Sequence, residues 1–109
     1  MALAVNASNT TTTDGTEQSL ATPTASNVYV FDIDAGAMAH GDVLEIRVKK
    51  PVLSAGTIRT VWRATIGPAA RGELVVTSPP VACPFGCTVT IKRVLGTDRA
   101  YPWSLMTLQ

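Results

Sequence analysis

The chain has 109 residues, 46% of them hydrophobic and 16% charged, with a formal net charge of +1. That length fits one domain around one core. The near-neutral balance argues against nucleic acid as the main partner, which a basic stripe would declare. No apolar run approaches the roughly 20 residues of a membrane-spanning helix, and Met1 to Asn6 carry no basic residue and too short an apolar stretch for a secretory signal, so synthesis in a cytoplasm without export is expected.

Residues 1–26 differ from the rest. Asn6 to Thr16 is polar and rich in threonine, and such a segment cannot offset its ordering entropy with a core of its own. It reads as an extended polar arm, dispensable for folding, within which Leu3 and Val5 alternate with small residues. Glu17 to Thr22 could form a short strand before the turn at Pro23.

From Asn27 the pattern sharpens. Val28 to Ile33 is β-branched and aromatic, with Tyr29, Phe31 and Ile33 on one face. Asp34 to Asp42 is a connection of small residues with room for one helical turn. Asp42 to Lys49 alternates cleanly, with Leu44, Ile46 and Val48 directed inward and Glu45, Arg47 and Lys49 outward. Pro51 to Gly56 supplies the breakers of a loop or wide hairpin. Thr57 to Ile66 alternates again, with Ile58, Trp62, Ala64 and Ile66 on one face; Gly67 to Gly72 is a loop, and Glu73 to Thr77 a strand stopped by Pro79 and Pro80. Cys87 to Val94 directs Cys87, Val89 and Ile91 inward, Leu95 to Arg99 turns, and Tyr101 to Leu108 is the last strand, with Pro102 confining its start to an edge or an end. Short strands at near-regular spacing predict an all-β fold: an antiparallel β-sandwich or small barrel-like domain over 27–109, preceded by the arm of 1–26.

Charge is split along the chain. Six acids (Asp14, Glu17, Asp32, Asp34, Asp42, Glu45) precede the first basic residue, Arg47; from there follow nine basic residues and two acids, Glu73 and Asp98. Either acidic and basic strands are neighbours in one sheet, pairing for instance Glu45 with Arg59 or Arg63, or the acidic half of one subunit meets the basic half of another. Cys83 and Cys87 enclose Pro84-Phe85-Gly86, and with a single histidine, His40, a complete four-ligand zinc site is not expected. In a cytoplasmic product the pair packs as two reduced, small apolar residues; a turn that brings them together for a disulfide is the alternative.

Catalytic constellations fail on inventory. His40 lies in a loop between Ala39 and Gly41, and the chain has no G-x-S-x-G elbow, Walker pattern or G-x-G-x-x-G run. Asp32 and Asp34 stand at i, i+2 on a strand end, where capping of the next turn is the ordinary role. Trp62 shares a face with Ile58 and Ile66 and is expected in the core. Tyr101 and Trp103 either close the core or anchor a subunit contact. No enzymatic activity, metal or cofactor is expected.

The opening Met1-Ala2-Leu3-Ala4-Val5-Asn6-Ala7-Ser8, the Thr-rich arm behind it, the Asn27-Val28-Tyr29-Val30 strand, the Gly41 to Lys49 strand and the closing Arg99-Ala100-Tyr101-Pro102-Trp103-Ser104-Leu105 together resemble small virion proteins of tailed bacteriophages, some of which act as capsid decoration, or cement, proteins. The likeness is one of texture and segment order over most of the chain. It implies a viral structural protein that binds the outside of an assembled capsid and clamps adjoining capsomers. Its partners would be the major capsid protein and copies of itself in a homotrimer. The arm would add a strand to a neighbour or to the capsid lattice; the likeness carries over no individual functional residue, and the capsid or subunit contact candidates of this chain are Leu3, Val5, Asn9 and Thr11 in the arm and the aromatic Tyr101 and Trp103. A tail or head–tail joining protein is the first alternative. A soluble carbohydrate-binding sandwich is the second, and requires Trp62, Tyr101 or Trp103 on an exposed face.

Overall fold

A computed structural model of the chain describes residues 3–67 and 75–108. Their regular elements are all strands: β1 (Leu3–Thr12), β2 (Gln18–Ala21), β3 (Asn27–Asp34), β4 (Val43–Pro51), β5 (Ile58–Ile66), β6 (Val75–Thr77), β7 (Val81–Cys83), β8 (Thr88–Leu95) and β9 (Ala100–Leu108). Two antiparallel sheets form. One runs β1-β9-β3, with β6 and β7 in succession along the far side of β3; the other runs β2-β8-β4-β5. The predicted antiparallel sandwich is therefore the fold.

Period-2 alternation explains why the sheets stack. Tyr29, Phe31 and Ile33 of β3 and Tyr101, Trp103 and Leu105 of β9 are buried against Leu44, Ile46 and Val48 of β4 and Val89 and Ile91 of β8. Each such side chain contributes about 1.5–3 kcal/mol on leaving water. Phe31 and Trp103 add a tilted ring contact with centroids 6.2 Å apart, worth about 0.5–1.5 kcal/mol beyond burial.

The segment read as an arm supplies two of these strands. β1 pairs with β9 from Leu3↔Leu108 to Thr12↔Ala100, and β2 pairs with β8. Between them Thr13 is buried, its amide donates to the Arg99 carbonyl (3.0 Å) and its hydroxyl accepts from the Arg99 amide (3.2 Å). Further on, the Cys87 amide donates to the Pro23 carbonyl (3.0 Å) and the Tyr29 hydroxyl to the Ala25 carbonyl (2.8 Å). The segment buries little of its own, but the sheets offer it main-chain partners that its composition does not reveal.

Other expectations are corrected locally. Asp34 to Asp42 holds no helical turn; two reverse turns form, closed by Met38 N–H to Ala35 O (2.9 Å) and Asp42 N–H to Ala39 O (3.1 Å). The β4–β5 hairpin carries a bulge between Val48 and Lys49, and beyond it Ile58 is exposed rather than in the core. β7, too short between two prolines for alternation to register, is an added strand; the Ser78 hydroxyl accepts from the Phe31 amide (2.9 Å) and bridges the gap between β6 and β7. Pairing of β9 with β3 ends at Trp103, so Pro102 meets only Thr10 of β1 and its missing N–H breaks no ladder on the β3 side. Most of the loop expected after Gly67 and the start of the strand expected at Glu73 lie outside the described residues.

Candidate functional site

The six residues singled out as contact candidates fall on one ladder. Leu3, Val5, Asn9 and Thr11 belong to β1 and Tyr101 and Trp103 to β9, with Asn9 opposite Trp103 and Thr11 opposite Tyr101. Their roles divide by face. Tyr101 and Trp103 are buried in the chain's own core, and Trp103 Nε1–H donates to Thr11 Oγ1 (2.9 Å), which fixes β1 to β9 from the inside. Leu3 and Val5 are 58% and 64% exposed. A bulge at Asn6 sets both on the outer face, opposite Leu108 and Met106, and Met106 lies opposite Val30 in turn. The ladder thus presents an apolar outer strip at its Leu3 end. Because Tyr101 and Trp103 turn inward while Trp62 is partly exposed on the other sheet, the three form no exposed aromatic row.

Edges decide what a sheet can pair with. β2 has four residues and β6 and β7 three each, too few to template an incoming strand. β5 is longer but carries Arg59 and Arg63. β1 has ten residues, no proline and no charge. Apart from the bulge at Asn6 it is the longest described edge with neither proline nor charge, and its outward main-chain groups are open to another extended segment.

The charge split is used in part inside the chain. Lys49 pairs with Glu17 (2.9 Å), Arg47 with Glu45 (2.7 Å), Arg93 with Asp98 (2.5 Å) and Arg99 with Asp42 (2.6 Å). The expected pairing of Glu45 with Arg59 or Arg63 does not occur: register places Glu45 opposite Thr65, Arg63 opposite Arg47 and Arg59 opposite Lys50. Asp42 is the most strongly held acid. Its Oδ2 accepts from the Ala39 amide (2.8 Å) and Arg99 Nε, its Oδ1 from the Thr97 amide (3.0 Å). These backbone bonds first, then Arg99, bring its pKa down to about 2. Gly96, at φ 95°, packs so close to Asp42 that a Cβ would not fit. Glu17 is held below its usual range by the Lys49 ammonium and the Thr90 hydroxyl, and Asp14 by the Thr16 hydroxyl and amide.

The remaining candidates resolve simply. His40 is exposed in the second reverse turn. Asp34 Oδ1 accepts from the Gly36 amide (2.8 Å), capping the first turn. Cys83 and Cys87 are free thiols, both buried. Among the described residues no three of His, Cys, Asp and Glu come together in a metal-holding group. Val52 and Leu53, 77% and 70% exposed, form the tip of the β4–β5 hairpin, an apolar surface beyond the residues that the sequence points to. Two adjacent apolar residues inside a Pro-to-Gly turn were the available signal. No family model, no curated protein and no solved structure matches the chain.

Proposed function

We propose that this chain is a virion structural protein that docks on the outside of an assembled capsid and stabilises it by clamping adjoining capsomers, without catalysis. The observation that carries the proposal is the open edge of β1: ten uncharged residues at the margin of a sheet whose other margin is made of short strands. An extended segment of the major capsid protein would continue the sheet through main-chain hydrogen bonds, while Leu3 and Val5 pack on its apolar side chains. The resemblance to phage virion proteins supplies the identity of that surface. Copies arrayed on a symmetric shell multiply a weak contact, so that avidity can exceed single-site affinity by ~10²–10⁴.

Mass spectrometry of purified particles combined with cryo-electron microscopy tests this. The expected result is density for the sandwich on the capsid exterior, with β1 against the shell, at a copy number comparable to that of the capsid protein. Absence from particles, or a few copies confined to the tail, would overturn it.

A further inference from the structure

Among the described residues, two charged surfaces keep side chains without an opposite charge after the internal ion pairs are formed. On the outer face of the four-stranded sheet, Arg47 and Arg63 stand directly opposite one another and, with Thr60 and Val61, line a hollow of about 400 Å³ that reaches the edge of Trp62, which itself packs against the core as expected. Like charges directly opposite destabilise a sheet. Among the described residues Glu45 pairs with Arg47 alone, and the shielded Arg47 Nε has no acceptor. Arg63 has no carboxylate partner among the described residues. On the outer face of the other sheet, Asp32 and Asp34 border a smaller hollow of about 200 Å³ against Val75 and Pro102. Neither has a basic partner among the described residues, and the shielded Asp32 Oδ1 has no donor.

Among the described residues the Arg47–Arg63 surface is thus short of acidic partners and the Asp32–Asp34 surface has no basic one, and within one chain the two do not meet, because they face outward from opposite sheets. We propose that they are the two halves of a head-to-tail contact between copies of this chain, in which the Arg47–Arg63 hollow of one copy takes the Asp32 and Asp34 carboxylates of the next. Guanidinium groups match carboxylates with paired, charge-assisted hydrogen bonds, and the incoming acids relieve the Arg47–Arg63 repulsion. Since two different patches meet, the contact is heterologous: it closes into a ring if the rotation between copies allows and otherwise grows as an open filament. It requires only this chain and stands apart from the capsid proposal.

Sedimentation velocity on the full chain, in salt from about 0.01 M to about 0.5 M, is the first arm, since screening is short-ranged at the upper end. Association at low salt that weakens about tenfold or more at high salt is expected; a monomer at every salt and protein concentration would overturn the proposal. Charge reversal is the second arm. Asp32→Lys/Asp34→Lys and Arg47→Glu/Arg63→Glu should each be monomeric alone and should associate when mixed in equal amounts, because the two reversed surfaces are complementary again. Folded variants that associate like the unaltered chain, or that fail to associate on mixing, would overturn it. Should circular dichroism find either reversal unfolded, Asp32→Asn/Asp34→Asn and Arg63→Gln replace them. Each is then expected to weaken association at least about tenfold, and unchanged association would be equally fatal.

Discussion

Asp42 illustrates how much a single side chain can organise. Its carboxylate ties the turn before β4 to the turn after β8 and, through Arg99, to Thr13. Its pKa falls from 3.8 to about 2, so its contribution to stability is fully present above 3.8 and is lost as pH drops through about 2. Glu17 and Asp14 are shifted in the same direction and add to the loss at the upper end of that window. Thermal melts should accordingly show the melting temperature falling between about pH 4 and about pH 2. Asp42→Asn should melt lower than the parent at neutral pH and lose the most acidic part of that slope; an unchanged profile would remove Asp42 from the account. The cysteines give a second test at this scale. Burial raises the pKa of both thiols, that of Cys87 to about 12, and the thiolate is the reactive form. A thiol reagent at mildly alkaline pH should leave the native protein unmodified and label both residues only after denaturation. The sequence left reduced thiols and a disulfide as alternatives; which one forms depends on the separation that β7, the Gly86 turn and β8 impose, and spacing alone does not contain that.

Among the elements, β1 is the one whose sequence and exposure point outward together. Strand alternation was legible where a face is buried: β3, β4 and β8 each present their core residues at the positions that period 2 selects. β1 was harder to read, because threonine, serine and asparagine carry no hydrophobic signal and its pairing with β9 joins the two ends of the chain. The inward turn of Tyr101 and Trp103 was likewise open, since alternation says which residues share a face but not which face the partner sheet covers. Val5→Lys tests the proposed role of this edge. A charge on an edge strand is a common guard against pairing, and an exposed substitution costs about 0.5 kcal/mol or less. The variant should melt like the parent and bind particles at least about tenfold more weakly. Equal binding would direct attention to the apolar hairpin tip at Val52 and Leu53.

At the scale of the whole molecule, the division into arm and domain gives way to a shared sandwich. Removing residues 1–26 takes a strand from each sheet and leaves the partners of Arg99, Cys87 and Tyr29 absent. Each lost hydrogen bond contributes about 0.5–1.5 kcal/mol net, against a total stability of about 5–15 kcal/mol for an ordinary domain. Residues 27–109 alone should therefore show no cooperative thermal transition by circular dichroism. A melt close to that of the full chain would mean that the first two strands are accessory.

The amino-acid sequence by itself determined the fold class, most strand positions and the inward faces of the central strands, because alternation is local and each residue reports its own burial preference. Only the tertiary structure decided that the polar N-terminal segment completes both sheets, that Tyr101 and Trp103 serve the core, and that Glu17, Asp42 and Glu45 are paired within the chain while Asp32 and Asp34 have no basic partner among the described residues. Those outcomes depend on register and bulges between strands far apart in sequence. The main-chain groups that set register are the same in every residue type but proline, so composition carries little trace of them.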